Sequence, residues 1–213
     1  MKQLLETLGQ NLIQGNREEV QRLTHEALVL NLSPADILNK GLLPAMDIVG
    51  KKFREFEFFL PEVLVAARAM KAGMEILQTL LTQTGVKPIG KIILGTVRGD
   101  LHDIGKNLVG MMLQGAGFEV IDLGIDVSPQ KFVESARAHE VHIVGLSAML
   151  TTTMLSMKDT IQAFQEEGEG ERVKIMIGGA PVTEKFAREI GADGFAVDAP
   201  RAVELAKSLM GVT

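Results

Sequence analysis

From Lys91 onward the chain alternates apolar, β-branched runs of strand length with segments of helical period, and few patterns restrict a fold more. KIILGTV, FEVIDLG, VHIVGLSAM and VKIMIGG are such runs, with a short GFAV after them. Between them lie SPQKFVESARAHE with its Ser-Pro cap, TTMLSMKDTIQAFQEEG, TEKFAREIG and the closing PRAVELAKSLM. Strict alternation of this kind requires parallel strands joined by right-handed crossovers, so a sheet of about five strands covered on both faces is expected. Ligands of such sheets bind outside the carboxyl ends of the strands.

The first part of the chain has a different period. Leu4, Leu5, Leu8 and Leu12 repeat at helical spacing, and the pattern resumes after Asn16 with Val20, Leu23, Ala27 and Leu28. Ser33-Pro34-Ala35-Asp36 reads as an N-cap, a proline at the first helical position and an acidic third residue, while Pro44 and Pro61 open later helices. About four helices result, which is a small bundle. TGVKPIG then carries glycines and a proline with no period. The expected organisation is therefore a helical bundle over 1–84, a connection at 85–90 and an α/β domain over 91–213.

Composition narrows the partners. At 46% hydrophobic and 23% charged, the 213 residues suit a folded globular chain. A net charge of −5, with the basic residues scattered, offers nothing to nucleic acid or an anionic membrane. No run reaches the ~18 apolar residues of a membrane span, and the opening helix has no signal-peptide pattern. The chain has no cysteine, hence no disulfide, thiolate metal site or cysteine nucleophile, and a cytoplasmic location is expected. With no Trp or Tyr, a large flat ligand must be held without those rings.

Three loops at strand ends carry the chemistry. Asp100-Leu101-His102 follows the first strand, Ser147 to Thr153 ends the third, and Gly178-Gly179-Ala180 ends the fourth. Taken alone, the first could be a phosphate cradle, a metal ligand with its carboxylate, or an ordinary helix N-terminus. Each loop could be a plain strand-to-helix turn, with Thr151 or Thr152 as an N-cap and the glycines as turn formers. Three together on one edge favour a site, where hydroxyls bond a polar ligand and Gly178 and Gly179 admit it to the backbone.

Two decoys fall away. Gly99-x5-Gly105-Lys106-Asn107 is one residue too long for a phosphate loop and has Asn where a magnesium-binding hydroxyl belongs. His139-Glu140-Val141-His142 is one residue short of a zinc-hydrolase signature and straddles a helix end and a strand start. His25 lies in an N-terminal helix with no acidic cluster and reads as solvated. For Asp100 and His102 the fitting chemistry is a single-ligand metal site, the carboxylate accepting Nδ1–H and leaving Nε2 free to coordinate. One imidazole holds a bare ion poorly, so the metal must arrive with its other positions filled, as in a macrocycle.

At these residues the chain resembles a known family. Asp100-x-His102-x-x-Gly105, Ser147-Ala148-Met149 and Gly178-Gly179 are similar to the D-x-H-x-x-G, S-x-L and G-G signature of the cobalamin-binding domains of methionine synthase and of stand-alone corrinoid proteins. Met149 departs from the usual Leu, at similar volume. FEFFLPEVLVAARAM, residues 56 to 70, resembles the helical cap that precedes this domain in methyl-transferring members. The resemblance implies a four-helix bundle cap followed by a flavodoxin-like, Rossmann-like doubly wound parallel sheet. It implies a base-off cobalamin or related corrinoid, passing between methylcob(III)alamin and cob(I)alamin, with His102 as lower axial cobalt ligand.

The same resemblance places Asp100 and Thr153 in a proton relay. It puts Asp100, Ile104, Gly105 and Asn107 against the cofactor after the first strand, Ser147, Met149 and Thr151 after the third, and Gly178, Gly179 and Ala180 after the fourth. Phe58, Phe59, Leu60 and Val65 would cover the methyl face or simply form bundle core. The implied function is a methyl carrier, not an enzyme alone. Its partners would be a methyltransferase for methylamine, methanol, a methoxyarene or betaine, a second serving an acceptor such as tetrahydrofolate or coenzyme M, and a corrinoid reductive activase. The rivals are a cobalamin-dependent sensor or regulatory module and a metal-free nucleotide or flavin enzyme.

Overall fold

The computed structural model describes residues 1–83 and 87–212. Two compact units divide the chain: Met1–Pro88 with Gln114–Gly117, and Ile89–Leu113 with the residues from Phe118 on. The expected boundary at residue 84 and the first two residues of the 85–90 connection lie outside the described residues.

The first unit is helical: α1 (Lys2–Ile13), α2 (Arg17–Val29), α3 (Pro34–Ile37), α4 (Leu43–Arg54) and α5 (Leu60–Gln83). Leu5, Leu8 and Leu12 of α1 are buried, as are Val20, Leu23 and Ala27 of α2, which is what their spacing requires of one apolar stripe per helix. Ser33 caps α3 by accepting from the Asp36 N–H at 3.0 Å. Pro44 stands in the first turn of α4, as expected of a helix-opening proline, but α4 is continuous with α3. A single π turn, Leu38–Leu42, joins α3 to α4. Proline cannot donate to the carbonyl of residue 40 and its ring crowds that group, so widening one turn keeps the run helical.

The second unit is a five-stranded sheet, every pair parallel, in the order β2-β1-β3-β4-β5. Its strands are β1 (Lys91–Thr96), β2 (Glu119–Asp122), β3 (Ile143–Ser147), β4 (Lys174–Gly178) and β5 (Gly194–Ala196). The helices α6 (Ile104–Gly115), α7 (Pro129–His139), α8 (Leu155–Glu166), α9 (Glu184–Ile190) and α10 (Ala199–Leu209) follow the strands in turn. Ser128, Thr183 and Asp198 cap α7, α9 and α10 through their side chains. Phe132 of α7 and Phe164 of α8 are fully buried in the core beside Ile93, Val144 and Ile177. This is the flavodoxin-like order, whose connections diverge between β1 and β3 and open a crevice there.

Candidate functional site

Register brings the three predicted loops level. Thr96 at the end of β1 pairs with Ser147 at the end of β3, and Ser147 pairs with Gly178 at the end of β4. Everything after those residues projects from one edge, beside the divergence of the connections. The apolar runs fix this, because Ile92, Ile93 and Leu94 of the interior strand β1 are buried and held from both sides.

Asp100 is the centre of the arrangement. It is fully buried, and its Oδ1 accepts from His102 Nδ1 at 2.8 Å and from the His102 N–H at 3.1 Å. Its Oδ2 accepts from Thr153 Oγ1 at 2.6 Å and from the Met149 N–H at 2.7 Å, with the Leu150 N–H at 3.3 Å. Burial alone would raise this carboxyl, but the bonds from Thr153, Met149 and His102 outweigh it and hold it well below the usual carboxylate range. An ionised carboxylate can only accept, so the proton between the pair sits on His102 Nδ1. Nε2 bonds to nothing among the described residues, and the ring is 53% exposed. The buried Thr96 hydroxyl donates to the His102 carbonyl at 2.9 Å, which fixes the backbone as well.

The other predicted residues fall into distinct situations. Ile104 and Met149 are exposed, with Leu101 and Leu150 alongside them in sequence, so the loops that hold the pair present apolar surface. Ser147 is half-buried and its hydroxyl takes no partner among the described residues. An added Cβ on Gly105 would meet nothing within 4 Å, so nothing internal demands glycine there. Gly179 is the opposite case. Its φ is +134° and a Cβ would lie 1.9 Å from the Ala148 carbonyl oxygen, so close packing of the β3 and β4 loops requires glycine. Gly178 is half-buried and Ala180 exposed. Asn107 is engaged on both sides, accepting from Lys106 Nζ at 2.8 Å and donating to Asp103 Oδ2 at 3.0 Å.

The expected caps at Thr151 or Thr152 are absent. The helix begins at Leu155 without a side-chain cap, both threonines are exposed, and the working hydroxyl is Thr153. The decoys resolve clearly. Lys106 turns inward, Nζ lying 2.6 Å from both carboxylate oxygens of Asp122, and His142 Nδ1 accepts from the Lys91 N–H at the opposite end of the strands. His25 is exposed. No group of three or more His, Cys, Asp or Glu side chains that could hold an ion occurs among the described residues.

Sequence reasoning missed Lys106, Asp122 and Asp126. The carboxyl-end rule, applied to the edge strand β2, would have drawn in its loop, LGIDVSP. A lone neutral imidazole, oriented by a buried carboxylate, can fill one position of a metal whose other ligands arrive with it.

Known proteins resemble the chain along nearly its whole length. A B12 binding domain model matches residues 90–206 and a second B12 binding domain model matches residues 4–78. The chain is 42% identical over 211 residues to a corrinoid protein of Desulfitobacterium hafniense, covering 98% of each. It is 44% identical over 210 residues to dimethylamine corrinoid protein 2 of Methanosarcina acetivorans, covering 98% of this chain and 97% of the relative. Among solved structures, the methanol:cobalamin methyltransferase complex MtaBC of Methanosarcina barkeri superposes with a TM-score of 0.88 at 26% identity, over 99% of this chain and 81% of the other. No described helix is long and apolar enough to cross a membrane.

Proposed function

The chain belongs to the corrinoid proteins built from B12 binding domains, and from that premise we propose that it carries methyl groups between two methyltransferases, with His102 as the lower axial ligand of the corrinoid. The observation that carries this reading is the 2.8 Å bond from His102 Nδ1 to a fully buried Asp100, with Nε2 left open. When bound, the corrinoid supplies a cobalt that accepts and gives up a methyl group. The residues present fit that group. Gly105 faces open space, the Ser147 hydroxyl is unengaged, and Leu101, Ile104, Met149 and Leu150 offer exposed apolar surface to a macrocycle.

The chain's own contribution is to hold a donor and a proton. Asp100 keeps the Nδ1 proton in place and so directs the Nε2 lone pair outward. Thr153 Oγ1 and the Met149 N–H occupy Oδ2, so the carboxylate cannot swing away. Asp100, ionised and bonded to the ring at Nδ1, would stand beside His102 as counter-charge to any positive charge the ring shares with a metal at Nε2. Thr153, whose hydroxyl donates to Asp100 Oδ2, would be the next proton-bearing group beyond Asp100 on the Nδ1 side of the ring. Gly178, Gly179, Ala180, Thr151 and Asn107 shape the rest of the edge, Asn107 through Asp103.

Activation of the methyl donor is assigned to another protein, since among the described residues no cluster of three or more His, Cys, Asp or Glu could hold a Lewis-acid ion. Demethylating an amine, alcohol or ether needs a general acid or Lewis acid at the leaving group, and a separate methyltransferase provides it. A dimethylamine relative and a methanol complex of the same fold support a methyltransferase partner that chooses the donor; a second methyltransferase and a reductive activase complete the proposed set. Reconstitution with cobinamide tests the ligand, because this corrinoid lacks a nucleotide base and any axial nitrogen must come from protein. Electron paramagnetic resonance of the Co(II) state should show one axial nitrogen in the wild type and none in His102→Ala. An axial nitrogen retained by His102→Ala would exclude the assignment.

A further inference from the structure

The loop between β2 and α7 presses on the Asp100–His102 loop, and nothing in the proposed chemistry uses it. Asp126 sits in this loop at φ +53°, a left-handed conformation that most residues other than glycine avoid and that aspartate and asparagine tolerate best. Its side chain accepts from the Gly99 N–H at 2.7 Å, and its own N–H donates to the Asp100 carbonyl at 3.1 Å. Asp126 therefore grips the two residues that lead into the ligand pair, one through its side chain and one through its backbone.

The loop is itself anchored at its start. Asp122 accepts from Lys106 Nζ at 2.6 Å on both oxygens, and its Oδ1 also accepts from the Gly124 N–H at 2.9 Å. The Lys106 side chain is 2% exposed, so this ion pair is not free to wander. Lys106 can only donate and the Asp103 carboxylate can only accept, which leaves one orientation of the Asn107 amide satisfying both. The chain of contacts from Asp122 through Lys106 and Asn107 ends on Asp103, the residue after His102. The histidine loop is thus held from the same neighbouring loop before Asp100 and after His102.

We propose that the loop 122–127 is a positioning brace for the axial histidine, with Asp126 the residue that transmits it. Asp126 touches neither the ligand nitrogen nor Asp100's carboxylate. It acts by fixing the backbone from which both project, and so sets how much of the imidazole's reach is pre-organised for the metal. The inference rests on His102 being the cobalt ligand, but its first readout needs no cofactor.

Asp126→Gly separates position from fold. Glycine adopts φ +53° freely and keeps the backbone bond to Asp100, while the acceptor for the Gly99 N–H is lost. Asp126→Asn retains a side-chain oxygen and tolerates the same backbone. In the cofactor-free protein, the Gly99 amide should exchange about three- to ten-fold faster in Asp126→Gly, as expected for one lost hydrogen bond, and near the wild-type rate in Asp126→Asn. In the cobinamide-loaded Co(II) protein, Asp126→Gly should lower the ratio of axially ligated to unligated cobalt by a similar factor at unchanged corrinoid content, and Asp126→Asn should restore it. An unchanged ratio in Asp126→Gly would overturn the proposal, as would a melting temperature that falls in step with the ratio. If the wild type itself shows no axial nitrogen, the assignment of His102 fails and the brace falls with it, whereas a wild-type axial nitrogen with an unchanged ratio in Asp126→Gly sinks the brace alone.

Discussion

At Asp100 two opposing effects meet, and the geometry decides between them. Desolvation of a fully buried carboxyl opposes ionisation, yet two donors at 2.6 and 2.7 Å on one oxygen and the His102 ring on the other favour it. The lowered pKa means that Asp100 stabilises the fold at all pH values above the unfolded value of ~3.9 and ceases to do so only as pH falls through its much lower folded value. Its charge is thus constant wherever the protein works. Asp100→Asn leaves a side chain of the same shape that holds Nδ1–H less strongly, so the His102 contribution to corrinoid ligation should weaken about 10- to 100-fold. Titrating wild type and variant with cobinamide measures this, and equal affinities would remove Asp100 from the ligand system. The D-x-H spacing made this pair legible in the sequence. The backbone N–H groups of Met149 and Leu150 were not legible, because a main-chain donor carries no side-chain signature.

Among the elements, the helices and strands followed from period, and the deviations have local causes. Pro44 opens α4 as its position in the sequence suggests, and what the period did not reveal is the π turn ahead of it that lets α3 run into α4. In the β3–α8 loop the alternative of a Thr151 or Thr152 cap gives way, since Thr153 spends its hydroxyl on Asp100 and α8 has no side-chain cap. Contacts between distant elements were invisible altogether. Glu169, between α8 and β4, accepts from Arg137 Nε of α7 at 2.9 Å and from Arg172, and these two guanidinium groups hold its carboxyl below the usual range. Its contribution is present above the unfolded value of ~4.3 and is lost as pH falls through the lower folded value. Glu169→Gln should therefore unfold at a slightly lower urea concentration at pH 7, the small effect expected of partly exposed ion pairs, and the difference should shrink at pH 3.5. A gap that widens on acidification would show that another group carries the effect.

For the whole molecule, the division of labour is the testable property. A chain whose evident donors serve one metal position should consume no methylated amine or alcohol by itself, even loaded with reduced corrinoid. Donor loss, followed over time, should appear only when a matching methyltransferase is added, and saturable consumption without one would make this chain an enzyme. The change from a helical bundle to alternating strands and helices was legible from the change of period, and the levelling of the three strand-end loops from the carboxyl-end rule. The bracing of that edge was not, because it depends on which carboxylate a buried lysine meets. Lys106 is the only buried lysine among the described residues, closed off against Asp122. An amine without access to solvent is silent towards acylating reagents, whereas the exposed lysines react at once. Each late acylation of Lys106 would therefore be a time stamp of α6 lifting from the sheet, making the molecule its own clock for the opening of that helix.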